Sequence, residues 1–399
     1  MPPVPTLPGH PPPVRLIAQV GVIVVAVMVV AVGLPFLLDH RPGATDPGPL
    51  EWSAVQFSES GVLDSITSLG GRLLLAGADA DGPAVWISRD GGFGWDQSTV
   101  VVRNQQNRDA TFLSMGIISG HGDQLLALGH RSITKGNTSS WETALWISHD
   151  GGENWEDAPE GSVPQGTLDV VATDRGYVAL GQGPNGIPTV WTSGTGMDWR
   201  LVASDSTFGD ATVEALAVHD GQIVAVGARL SQSSPSTAMA WRSRDGVEWE
   251  PIALSRDDSA AAVDVIATDS GFVAVGSQRG VVTGAVAWQS SDGLTWQEVV
   301  LDRGGDIGAG FVAALGDRFI AIGGKLLELS TGRMAWSILS PSGPPIPLEF
   351  TGQVLGIVAY GDRYVGIGSA DCFLLPKCAS LLIFGVPPGT TWPERLGAP

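Results

Sequence analysis

Apolar runs of strand length that end in a glycine recur seven times along the chain: RLLLAG to Gly77, QLLALG to Gly129, GYVALG to Gly181, QIVAVG to Gly227, GFVAVG to Gly276, RFIAIG to Gly323 and RYVGIG to Gly368. Successive glycines stand 52, 52, 46, 49, 47 and 45 residues apart. Residues 263–300 show one whole unit: VDVIAT, the turn DSG, FVAVG, a variable loop, AVAWQSS, a second turn and TWQEVV. The runs are rich in Val, Ile and Ala and apolar at nearly every position, the pattern of sheets covered on both faces. A repeat of this length with four short strands predicts an all-β, seven-bladed β-propeller of four-stranded antiparallel blades over residues 50–399. Nothing in that stretch has a helical period.

Polar punctuation repeats with the strands. Five units carry a hairpin between two tryptophans: WISRDGGFGW (86–95), WISHDGGENW (146–155), WTSGTGMDW (191–199), WRSRDGVEW (241–249) and WQSSDGLTW (288–296). A carboxylate in such a turn accepts bonds from amides two or three residues on, the glycine supplies a positive φ, and the second tryptophan covers the turn. Unit three has Thr195 in place of the acid. In unit six, Ser340, Ser342, Gly343 and Ile346 are expected where unit five has Ser290, Asp292, Gly293 and Trp296; unit seven keeps only Gly389 and Trp392. Either of two segments could close the ring: LEWSAV (50–55), with Trp52 in the tryptophan position, or the chain from Trp392 onward, where Pro393 removes a ladder donor.

These turns resemble the Asp-box, or BNR repeat, S-x-D-x-G-x-T-W, of the sialidase-like superfamily. Ser88, Asp90, Gly92 and Trp95 match it, as do Ser148, Asp150, Gly152 and Trp155; Asp245 with Trp249 and Asp292 with Trp296 match with one residue fewer. The family includes sialidases, sortilin-type receptors, some endoglucanases and photosystem assembly factors of the Ycf48/Hcf136 type, and this chain is closest in style to the non-catalytic and membrane-anchored members. The resemblance implies a propeller whose repeated acids are structural and lie opposite the usual ligand face. It also implies what a sialidase would need: three arginines, a tyrosine nucleophile with its glutamate, and an early R-I-P motif. No R-I-P triplet follows residue 38, and the three tyrosines obey the repeat, with Tyr177 and Tyr364 in the place of Phe272 and Phe319 and Tyr360 in that of Thr268.

Residues 16–38, LIAQVGVIVVAVMVVAVGLPFLL, hold no charged residue and are long enough to cross a hydrocarbon core of about 20 residues. The expected organisation is a Pro-rich cytoplasmic tail (1–15), a transmembrane signal-anchor helix (16–38), a linker (39–49) and an extracytoplasmic propeller (50–399), so the protein is expected in the cell membrane as a single-pass protein. A cleaved signal peptide is the competing reading. The net charge is −19, and without Arg15 the remainder carries −20, with no basic run that could neutralise phosphates, so nucleic acid is not an expected partner. Cys372 and Cys378 form a candidate disulfide or two free thiols. No spacing of His, Cys or acids suggests a metal site or a cofactor.

Two features exceed the scaffold. Asp64, Asp169, Glu214 and Asp264 fall near the start of the first strand in four units, where the other three have Gly116, Gly310 and Gly356. If they ring the channel they suit a cation or basic group; otherwise each binds amides of the neighbouring blade. The second is a pair of long connections, 101–111 with Arg103 and Arg108 and 130–143 with Trp141. They form either a binding lobe or solvated insertions. The expected function is a binding or assembly scaffold for a protein or glycan, without catalysis. The alternative is a glycoside hydrolase of the sialidase-like or two-carboxylate type on the same scaffold.

Overall fold

A computed structural model describes residues 50–57, 59, 61–102, 110–135, 138–159, 161–183, 186–230, 236–255, 259–278, 284–302, 307–328, 333–341, 343–348, 352–370 and 379–390. They form a seven-bladed propeller. Blades three, four and five are plain four-stranded antiparallel sheets; blade five, for example, runs Ala260–Thr268, Gly271–Gln278, Gly284–Ser290, Gln297–Val300. The second and third strands are buried almost throughout, as their unbroken apolar sequences require. Residues 16–38, Cys372 and Cys378 lie outside the described residues. No helix among the described residues is long and apolar enough to cross a membrane.

The N-terminal strand closes the ring. Glu51–Gln56 runs antiparallel to Ala379–Val386 as the outermost strand of blade seven. Trp52 pairs with Gly385, which pairs in turn with Tyr364, as Ser290 pairs with Phe272 in blade five. Trp52 therefore stands where the other blades carry their second tryptophan, and its ring stacks on Tyr364 with centroids 6.0 Å apart. The rival, Trp392, lies outside the described residues.

Blade six differs from expectation by one residue. Phe319 stands opposite Pro341 in the register that pairs Ala321 with Leu339, so Pro341, not Ser340, matches Ser290, and Leu339 fills the position of the buried Trp288. Ser340 pairs with Gly343 across a tight turn, and Ile346 pairs with Ile338 at the place of Val299 rather than Trp296. The shortened turn leaves no residue in the position of the second tryptophan.

Blade two is enlarged. Residues 130–143 are not an irregular loop: strands Gln124–Lys135 and Thr138–Ser148 continue as one ladder to the pair Lys135 with Thr138, and the inner strand Ala110–His121 lengthens with them. Alternating Ser, Thr and Ile in RSIT and TSSW suits this extended pairing. The strand Thr99–Val101 adds a fifth, parallel member beyond Asn154–Asp157, with Val100 beside Trp155.

Candidate functional site

The tryptophan-capped turns do what their chemistry suggests. In blade four, Ser243 Oγ donates to Asp245 (3.1 Å), the amides of Val247 and Glu248 donate to the same carboxylate (2.9 and 3.0 Å), and Trp249 Nε1 donates to the Gly246 carbonyl (3.1 Å). Blade five repeats this set on Asp292, and blades one and two centre it on Asp90 and Asp150. The turn glycine serves twice. Gly152 has φ 97°, and a Cβ there would lie 2.8 Å from Leu74 of the preceding blade; Gly246 stands likewise 2.8 Å from Val178. Each such turn therefore keys one blade onto the second strand of the one before it.

Blade three has its acid after all. Asp198, next to Trp199, accepts from Ser193 Oγ (2.9 Å) and Thr195 Oγ1 (2.7 Å), and these bonds hold its carboxyl below the usual carboxylate range. The sequence showed the signal as MDW, displaced three residues from where the repeat put it. Asp198→Ala is expected to lower the melting temperature, and Thr195→Asp added to that variant to recover it, because it recreates the blade-four arrangement. A calorimetric scan showing no recovery would refute the substitution of one acid for the other.

The four inner-strand acids do not form one ring. Every inner strand carries a bulge opposite the landmark glycine. Asp64 and Glu214 are the residue after the one paired to that glycine, whereas Asp169 and Asp264 come one residue later. Counting back from Gly77 and Gly181 gives 13 and 12 residues, a difference already present in the sequence.

Asp169 and Asp264 are buried inter-blade staples. Asp169 accepts from Val170 N (2.7 Å) in its own blade and Leu216 N (2.8 Å) in the next. Asp264 does the same with Val265 N (2.8 Å) and Val312 N (2.9 Å). Burial pushes both carboxyls up to about 7 despite those amides, and Asp169 adds repulsion at Asp264. Both carboxylates accept amides of the neighbouring blade, the second of the two expected roles. Asp64 is less enclosed and is pushed by burial to about 6, with the hydroxyl of Ser114 in blade two as its partner. Glu214 is raised by burial, with Thr212 alongside. No group of three metal-ligating side chains occurs among the described residues.

The tyrosines occupy strand positions. Tyr177 and Tyr364 are buried, and desolvation raises both phenols, Tyr364 to about 12. That is opposite to the shift an activated nucleophile needs. Tyr360 Oη donates to the Gly71 carbonyl (2.8 Å), tying blade seven to blade one.

In the enlarged blade two, Arg131 pairs with Glu142 at 2.9 Å, and Trp141 is the register partner of Ser132. Arg103 and Arg108 lie outside the described residues, in the connection that leads into Ala110–His121. That strand begins opposite Ile133, so the connection joins the sheet at the extended end, away from the capped turns.

Two solved propellers resemble this one. A structure of YCF48 bound to D1 peptide matches with a TM-score of 0.53 and 16% identity over 90% of this chain and 98% of that one. YCF48 from Cyanidioschyzon merolae matches with a TM-score of 0.53 and 19% identity over 84% and 99%. At these identities the likeness is one of fold. No family model and no curated protein matches the chain.

Sequence reasoning missed one cavity. Where blade six lacks its tryptophan, a space of about 460 Å³ opens among Phe319, Ile338, Ile346, Leu50, Trp52 and Tyr364, with Asp317 and Arg318 also in its wall. The signal was the shortened SPSGPPI turn.

Proposed function

We propose that this chain is an Asp-box propeller, anchored through residues 16–38 and held outside the cytoplasm, that binds a protein or glycan partner as an assembly scaffold. The observation that carries this reading is the extended sheet of blade two, whose inner, second and third strands of 12, 12 and 11 residues exceed every corresponding strand of blades one, three, four and five. A ladder raised on one end of a propeller has its backbone already paired, which lowers the ordering cost of binding there. The YCF48 structure with a bound D1 peptide supports a protein segment as the class of partner.

Arg108→Glu or Trp141→Ala is expected to weaken recovery of a partner crosslinked in the native membrane, roughly tenfold if a contact of about 1.4 kcal/mol is lost, with the melting temperature unchanged. Melting loss in parallel with lost capture would make both residues structural. The alternative, a glycoside hydrolase, would draw on Asp64 and Glu214, the two inner acids not committed to pairs of backbone amides. Turnover of a fluorogenic glycoside that disappears in Asp64→Asn or Glu214→Gln would overturn the binding reading in its favour.

A further inference from the structure

The residue after the turn glycine is apolar and exposed in three successive blades: Met197, Val247 and Leu294. The three are 36 to 37% exposed. Single exposed apolar residues are ordinary, but recurrence at one structural position is not scatter. The other blades treat the position differently. In blade one, Phe93 stacks on Phe384 (5.6 Å) beneath Arg363 (4.9 Å). In blade two the residue is Glu153, which pairs with Arg72 and Arg89. The apolar arc is therefore confined to blades three to five. The next blade, six, carries the cavity, whose wall contains Leu50 and the fourth-strand Ile346.

Leu50 is also where the chain enters the ring. Glu51 pairs with Val386 at the end of the third strand of blade seven, the end from which the capped turns of other blades spring. The polypeptide thus arrives on the same face as the arc. Residues 39–49 can span at most about 40–43 Å between residue 38 and that point. Arg175, Arg244 and Arg318 are exposed on this face, each beside an aspartate, and Asp198, Asp220, Glu248 and Asp269 are exposed there too, so its charge is mixed but on balance acidic, which suits a zwitterionic rather than an anionic bilayer.

We infer that the turn face of blades three to five rests on the lipid bilayer to which the chain is tethered, with Met197, Val247 and Leu294 entering its interfacial zone. This rests on the anchor reading of residues 16–38. It leaves the extended end of blade two pointing away from the membrane.

The test uses the full chain in phosphatidylcholine nanodiscs containing headgroup-nitroxide lipid. A genetically encoded fluorescent amino acid is placed at position 247 or 294, or at Leu230 on the opposite end of blade four. Quenching at 247 and 294 is expected to exceed that at 230 at least threefold. In addition, Val247→Asp with Leu294→Asp should at least halve the quenching of a probe at 197. Equal quenching at 247 and 230 in chains that copurify with the discs would overturn the docking while leaving the anchor intact, and would assign the arc to a protein partner. Strong quenching at 197 that survives both aspartates would show that the tether alone sets the orientation, which also overturns it. Chains that fail to enter discs would remove both readings.

Discussion

Trp155→Ala is expected to cost about 3–5 kcal/mol of folding stability. The ring is fully buried, and its Nε1 donates to the Gly152 carbonyl at 2.8 Å. Its burial exceeds that of Trp95, Trp199, Trp249 and Trp296 because the parallel strand Thr99–Val101 lies along the outer edge of the same blade, with Val100 packed on the core there. Truncation would leave a cavity beneath the turn and an unpaired carbonyl. Trp249→Ala, whose ring is partly solvated, is expected to cost less. Chemical denaturation of both variants measures the difference, and equal losses would show that the added strand contributes nothing to the burial.

Asp169→Ala is expected to cost about 2–4 kcal/mol, since it orphans the buried amides of Val170 and Leu216 together. Its pH dependence is the sharper expectation. An unfolded aspartate titrates near 3.9, whereas Asp169 and Asp264 titrate at about 7 in the folded protein. Between those values the folded chain keeps protons that the unfolded chain releases, so stability is lost as pH rises from about 4 to about 7 and is level above. Asp245 and Asp292 work in the other direction. The amides of Glu248 and Val247, and of Thr295 and Leu294, hold their carboxyls below the usual range. Their contribution is present above about pH 4 and is lost as acid protonates them in the folded state. The protein should therefore melt at a higher temperature at pH 5 than at pH 8. Without the carboxyl of Asp169, the variant should lie furthest below the parent at pH 5 and approach it at pH 8. A gap that stays constant across that range would mean that Asp169 does not titrate there.

The period, the seven units and the order of strands were legible because each rests on many residues at once. Features that depend on one residue of register were not. The Ser340 placement failed because a two-residue turn in blade six replaced the longer capped one, and matching letters across a gap cannot see a ladder. The acid of blade three was overlooked because a carboxylate three positions later reaches the same serine hydroxyl. Asp64 and Asp169 looked equivalent because both precede an apolar run; only the bulge, which adds a residue to one strand and none to its partner, separates them. The sequence also gave the length of 130–143 but not its form, since polar β-formers serve in a loop and on an exposed ladder alike.

The closing strand sets an order on the birth of this molecule. Among the described strands Glu51–Gln56 is made first, yet its partner Ala379–Val386 is made last. Until the ribosome has passed residue 386, the early strand offers an open row of amides and carbonyls to any other nascent edge. Contacts this distant in sequence also slow the final step of folding. A chain that stops shortly before residue 379 would build most blades and still be unable to seal.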